Sequence, residues 1–160
     1  MIIQAGEKMP SGVFGVMTDA GPGAISTEEL FAGKKVVLVS VPGAFTPTCS
    51  ASHLPGFVNQ ADDLLAKGVD SIACMSVNDV FVMHAWGEDQ KVADKVMMLA
   101  DGNGEYARAL DLEMDGTAFG MGMRSQRFAI IVDDGVARHV AVEAPGKLEV
   151  SKVESILANL

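Results

Sequence analysis

The chain is poor in the residues that most often reveal a chemistry. It holds two cysteines, one tryptophan, one tyrosine and three histidines in 160 residues. Two cysteines cannot build the disulfide framework of a small secreted protein. A chain of this length buries roughly 68–70% of its unfolded surface, so it needs no such staples, and one domain over residues 1–160 is expected. There is no C-x-x-C pair and no Cys/His cluster at zinc-ligand spacing, so no metal is expected. No apolar run approaches the roughly 18 residues that span a bilayer. Basic residues are few: 12 Lys and Arg stand against 21 Asp and Glu, a formal net charge of −9. Without a basic stripe, nucleic acid and anionic membranes are poor partners, and the acidic excess reads as solubility. The start, Met1 to Glu7, lacks the basic-then-apolar pattern of a signal peptide, which makes a cytoplasmic location the expectation.

What is present alternates between strand and helix signals. Val13 to Met17 suits a first strand. Ser26 and Glu29 make a capping box for a short helix through Phe31. Lys35 to Val41 is a continuous apolar strand of the kind buried on both faces. Leu54, Phe57, Val58, Ala61, Leu64 and Leu65 then recur at helical spacing, predicting one helix from about Thr48 to Lys67 with Gly68 as its stop. Val69 to Val77 reads as a strand. Asn78-Asp79 caps a helix through Trp86, Lys95 to Leu99 is a further strand, and Glu105 to Leu110 a short helix. Gly116 to Met123 reads as a flexible loop, and Arg127–Val132 with Val136–Val142 as a hairpin. Ser151 and Glu154 suggest a second capping box, before a helix whose Val153, Ile156, Leu157 and Leu160 share a face. This order predicts an α/β fold, a mixed central sheet with helices on both faces, and fits a thioredoxin-like arrangement.

The segment Pro42-Gly-Ala-Phe-Thr-Pro-Thr-Cys49-Ser follows the apolar strand directly. Thr46 suits a helix cap and Pro47 the first helical position, which places Cys49 in the first turn. Free N–H groups and the positive end of the peptide dipoles gather there. A thiol so placed loses its proton more readily, and the thiolate is the reactive form. Pro42 and Phe45 would wall the site. Pro55, inside the same helix, lacks the N–H that would bond the carbonyl of Ala51, so the turn carrying Cys49 is loosely attached and able to unwind over residues 47 to 52. His53 lies four residues after Cys49, and surface placement is the expectation for it. His84, His139 and Trp86 read as ordinary residues, and the methionines as gap filler, with Met121 and Met123 partly exposed.

This segment resembles the active-site stretch of the peroxiredoxins, in the type II branch that includes peroxiredoxin-5. His53-Leu-Pro-Gly-Phe57, Ser76-Val-Asn-Asp79, Phe81-Val82, Leu99-Ala-Asp101 and Arg124-Ser-Gln-Arg-Phe128 are similar to that branch as well. The resemblance implies reduction of hydrogen peroxide and alkyl hydroperoxides by a thiolate, without a cofactor. Cys49 matches the peroxidatic cysteine, Thr46 and Pro42 the rest of its motif, and Arg127 the arginine that completes the site. Arg124 matches a second arginine, supporting the site or a dimer contact. In such chemistry Arg127 donates to peroxide oxygen, while Thr46 accepts from the peroxide and donates to sulfur. A homodimer is implied.

The sulfenic acid left on Cys49 condenses with another thiol. Cys74, in a strand, matches the second cysteine of plant-like type II enzymes and is the possible resolving cysteine. The C-terminal cysteine of the animal enzymes is replaced by Val150-Ser151-Lys152. A mid-strand sulfur is hard to move, which favours an external reductant: glutathione, a glutaredoxin or thioredoxin. Two other functions stay open at this point, a peroxide-sensing redox relay and a thioredoxin-like disulfide exchanger, although the missing C-x-x-C argues against the second.

Overall fold

A computed structural model describes all 160 residues, with the side chain of Cys49 outside what is described. Nine strands form: β1 (Val13–Thr18), β2 (Gly21–Ser26), β3 (Lys35–Ser40), β4 (Ser71–Ser76), β5 (Met97–Ala100), β6 (Glu113–Asp115), β7 (Met123–Ser125), β8 (Phe128–Asp133) and β9 (Val136–Val142). Six α-helices accompany them: α1 (Thr27–Phe31), α2 (Leu54–Asn59), α3 (Ala61–Ala66), α4 (Val80–Asp89), α5 (Glu105–Ala109) and α6 (Val153–Leu157). The main sheet runs β2-β1-β5-β4-β3-β8-β9. β3 pairs parallel with β4, and β4 with β5, while β1, β8 and β9 join antiparallel.

β3 lies inside the sheet, between the central β4 and β8, and its alternation divides the interior. Val37, Val39 and Val41 point into one core with Leu54, Phe57, Leu64, Met83, Trp86 and Ile156. Val36 and Leu38 point into the other, with Phe14, Leu30, Phe31, Tyr106 and Leu110. Thus α2, α3, α4 and α6 cover one face, and α1 and α5 the other, as a strand buried on both sides requires. Each fully buried large side chain contributes on the order of 1.5–3 kcal/mol. This packing fixes the C-terminal edge of β3, where the Pro42 loop begins.

Several local expectations hold. The Ser26–Glu29 capping box closes reciprocally, and Asp79 caps α4 by accepting from the Val82 N–H at 2.9 Å. Three others are corrected. The Gly116–Met123 loop is framed by a two-stranded ribbon, in which Glu113 pairs with Ser125 and Asp115 with Met123, with a 3₁₀ turn at Thr117–Phe119. Ser151 does not cap α6: Lys152 is the cap residue, without a side-chain bond, because the Ser151 hydroxyl is used elsewhere. β2, rich in Gly and Pro, escapes a propensity reading because it is an edge strand.

A fourth correction matters for function. The expected helix from Thr48 to Lys67 is divided. Cys49–His53 is a π-helical turn, α2 follows with Pro55 in its first turn, and a break at Gln60 precedes α3. Pro55 removes the i→i−4 bond to Ala51, and the chain answers by widening the turn just before it. Pro55→Ala restores the missing donor. The amides of residues 48 to 52 are then expected to exchange more slowly with solvent, measured by hydrogen exchange; unchanged protection would refute the role given to Pro55.

Candidate active site

The loop after β3 is held from three directions. The Ala44 N–H donates to Asn78 Oδ1 at 3.0 Å, and the Ser76 hydroxyl donates to the same oxygen at 2.6 Å. Asn78 therefore anchors the loop, a role its place beside the Asp79 cap does not advertise. The Thr46 hydroxyl donates to the Gly43 carbonyl at 2.7 Å. Arg124, on β7, donates through Nε to the Met121 carbonyl at 2.9 Å and lies over Gly43, where an added Cβ would come within 3.2 Å of its Nη1. Between these anchors Phe45 adopts φ 64°, a left-handed backbone that a bulky side chain rarely takes, and its ring is half exposed. Such strain persists only where surroundings over-determine it, and it clusters at working sites.

The helical segment starts after Thr46, whose carbonyl accepts from the Ser50 N–H at 3.0 Å. Cys49 has its backbone in the π turn, and the expectations about its sulfur fall on a side chain outside those described. The turn is tied to α4 by the Trp86 indole N–H, which donates to Ser50 Oγ at 3.0 Å. The expected donation from Thr46 to sulfur falls on that undescribed side chain; what is described is the bond to Gly43. A hydroxyl has one proton, and that of Thr46 is directed to Gly43, leaving its oxygen as an acceptor.

Arg127 precedes β8, and Pro42, Thr48 and Arg127 line one cleft of about 330 Å³, walled further by Met114 and Pro145. Its Nη1 donates to His53 Nδ1 at 2.9 Å. His53 is not at the surface as expected: only 1% of it is exposed. Its Nε2 lies 3.0 Å from the Ser151 carbonyl and 3.3 Å from the Ser151 hydroxyl oxygen. Burial, with Arg127 opposing a second positive charge, pushes the imidazole pKa down to about 4. Glu143 is also buried, which alone would raise its pKa. Bonds from the Ser151 hydroxyl and from backbone N–H groups outweigh that and hold it below the usual carboxylate range. Sequence reasoning missed His53, Ser151 and Glu143, because a separation of 74 residues to Arg127 and 98 to Ser151 leaves no local signal. Cys74 sits in the middle of β4, fully buried, in register with Val39 and Met98. His84 pairs with Glu88 at the surface, 3.4 Å apart. Among the described residues no cluster of His, Cys, Asp and Glu could hold a metal ion.

The depressed His53 pKa predicts a pH effect. Its folded value of about 4 lies below the unfolded 6.5, so the unfolded chain takes up the proton first as pH falls. Stability is expected to drop by about 3 kcal/mol from above pH 6.5 to pH 4, relative to a His53→Gln variant in which no such proton binds. Denaturant melts of both proteins across that range measure it, and parallel curves would contradict it.

The redoxin family profile matches residues 4–157. The chain is 46% identical to peroxiredoxin-2E, chloroplastic, of Arabidopsis thaliana over 163 residues, which cover 99% of this chain and 69% of that one. It is 45% identical to peroxiredoxin-2C of the same plant over 159 residues, 99% of this chain and 98% of that one. Among solved structures, reduced Prx3 from Vibrio vulnificus in complex with hydrogen peroxide matches with a TM-score of 0.95 at 53% identity, covering 99% of both chains. Peroxiredoxin 5 from Alvinella pompejana matches with a TM-score of 0.86 at 33% identity, covering 98% of this chain and 96% of that one. The fold is thus the expected thioredoxin-like α/β arrangement. The chain belongs to the redoxin family, in its type II peroxiredoxin branch, and is a thiol peroxidase of antioxidant defence.

Proposed function

We propose that Cys49 is the peroxidatic nucleophile and that Arg127, Thr46 and Pro42 complete its site. The observation that carries this reading is the convergence of Arg127 with Pro42 and Thr48, from which it is far away in sequence, on one cleft beside the π turn. The Cys49 thiolate attacks one peroxide oxygen. The S–O bond forms as the O–O bond breaks, and the bonding pair leaves with the other oxygen, which takes a proton and departs as water or an alcohol. Arg127 stays charged at every relevant pH and donates to the oxygen on which charge grows, so its effect is greatest in the transition state. Thr46 accepts the hydrogen of the peroxide, its own proton being held by Gly43. Pro42 shields the sulfur from water. Phe45 and Arg124 support the loop, Arg124 by lying over Gly43. The apolar wall of the cleft, with Met114 and Pro145, suits the tail of an alkyl hydroperoxide.

The reductant in this reading is an external thiol, glutathione or a glutaredoxin, with thioredoxin as the alternative. The sulfenic acid condenses with the first thiol to a mixed disulfide and water, and a second thiol releases Cys49. Support comes from the full burial of Cys74 within β4, since bridging it to Cys49 demands approach of their Cα atoms to within about 7 Å or movement of a central strand. The protein is read as a cytoplasmic homodimer, its contact formed around the exposed Phe45, Phe119 and Met123.

Cys49→Ser is expected to abolish peroxide consumption with a thiol reductant. Arg127→Lys is expected to lower it by about 100- to 1000-fold; normal turnover by either variant would refute the assignment. Mass spectrometry after one equivalent of peroxide should find sulfenic acid, or a mixed disulfide with added glutathione. An internal Cys49–Cys74 disulfide in high yield would overturn the external reductant. Sedimentation at micromolar concentration tests the dimer, a single monomeric species being the contrary result.

A further inference from the structure

We infer that Glu143, Ser151 and His53 form a buried relay that fixes the position of the Arg127 guanidinium. The inference rests on the peroxide-activating role proposed for Arg127. A guanidinium only donates, so the Nδ1 that receives Arg127 Nη1 at 2.9 Å must be unprotonated. The ring proton then sits on Nε2, facing the two oxygens of Ser151 at 3.0 and 3.3 Å. Both can accept, because the Ser151 hydroxyl directs its own proton to Glu143 Oε2 at 2.6 Å. That carboxylate oxygen also takes the Ser151 N–H at 2.7 Å and the Glu149 N–H at 2.9 Å. The Glu143 N–H in turn donates to the Arg127 carbonyl at 3.0 Å. Every proton in the circuit has an assigned direction, and each buried member is satisfied.

The arrangement has a chemical consequence. Without the Glu143 carboxylate, the Ser151 hydroxyl is released and is able to turn its proton toward Nε2. That favours the other tautomer, which would set an N–H against the Arg127 N–H groups and push the guanidinium from its place. Glu143 and Ser151 are therefore positioning residues that act on Arg127 through His53. A shift of the order of 1 Å in such a donor costs about 100-fold in rate.

The test compares His53→Leu, His53→Gln, Glu143→Ala and Arg127→Gln by stopped-flow reduction of hydrogen peroxide, with the Cys49 thiolate titrated by ultraviolet absorbance. A glutamine amide offers an acceptor oxygen and a donor nitrogen at a spacing close to that of the two ring nitrogens. His53→Leu is expected to lose about 100-fold in kcat/KM and to raise the thiol pKa. His53→Gln should restore most of both, a recovery that general destabilisation would not give. Glu143→Ala should lose about 10-fold or more. Equal impairment of His53→Leu and His53→Gln, or an unimpaired His53→Leu beside an inactive Arg127→Gln, overturns the relay while the proposed site stands. Normal turnover by Arg127→Gln sinks the site reading itself. If His53→Leu fails to fold, nitrogen-15 shifts of the wild-type ring decide: a proton on Nδ1 refutes the relay, and a proton on Nε2 that becomes mixed in Glu143→Ala supports it.

Discussion

One hydrogen bond, from the Arg127 guanidinium to His53 Nδ1, joins the strand side of the site to the turn that holds the backbone of Cys49. Arg127 stands just before β8, His53 at the end of the π turn that holds the backbone of Cys49, and Ser151 in the segment before α6. An arginine cannot give up its proton at any relevant pH, so the histidine facing it must stay neutral. Burial favours that neutral form, and a buried ring requires that its second nitrogen find an acceptor. The low pKa of His53 follows first from its burial and then from the neighbouring guanidinium, and Ser151 supplies the acceptor that the other ring nitrogen needs.

The same turn carries a second constraint. Pro55 denies Ala51 its ordinary partner, and the chain responds with a wider turn, not with a kink in the middle of α2. The result is a widened turn that lacks one backbone bond yet is anchored along its length. Thr46 begins it through the Ser50 N–H, Trp86 holds Ser50 from α4, and His53 ends it on Arg127. A peroxidase needs both properties. The sulfur must be held for attack on oxygen, and the oxidised sulfur must then be offered to a reductant. A π turn stores the second property without loosening the anchors that supply the first.

The sheet was legible because its signals are local. The apolar run from Lys35 to Val41 declares a strand buried on both faces, and the two cores divide along its alternation. The Ser26–Glu29 box and the Asp79 cap sit within four residues of what they bond. The Pro42 to Ser50 motif was legible as a resemblance, and chemistry explained its residue types. His53, Ser151 and Glu143 were not legible. Ser151 three residues before Glu154 looks like a helix cap, and only a carboxylate eight residues upstream diverts its hydroxyl. His53 looks like a surface residue because histidine composition says nothing about a partner 74 positions away. Polar networks are written in tertiary distances, and periodicity cannot report them.

Charge completes the picture. The chain carries −9 overall, yet the cleft presents a guanidinium that titration cannot remove. A hydroperoxide is neutral on approach, so the global field neither helps nor hinders the oxidative half of the cycle. Negative charge appears only as the O–O bond breaks, and it appears beside Arg127, where a fixed donor acts at short range and salt screens little. An anionic thiol arriving for the reductive half meets the opposite situation, since it must cross the acidic field before reaching any favourable contact. The two halves of the cycle therefore make different electrostatic demands. A fixed guanidinium in a cleft on an acidic surface favours the first half without serving the second, so the reductant proposed above must bring contacts of its own.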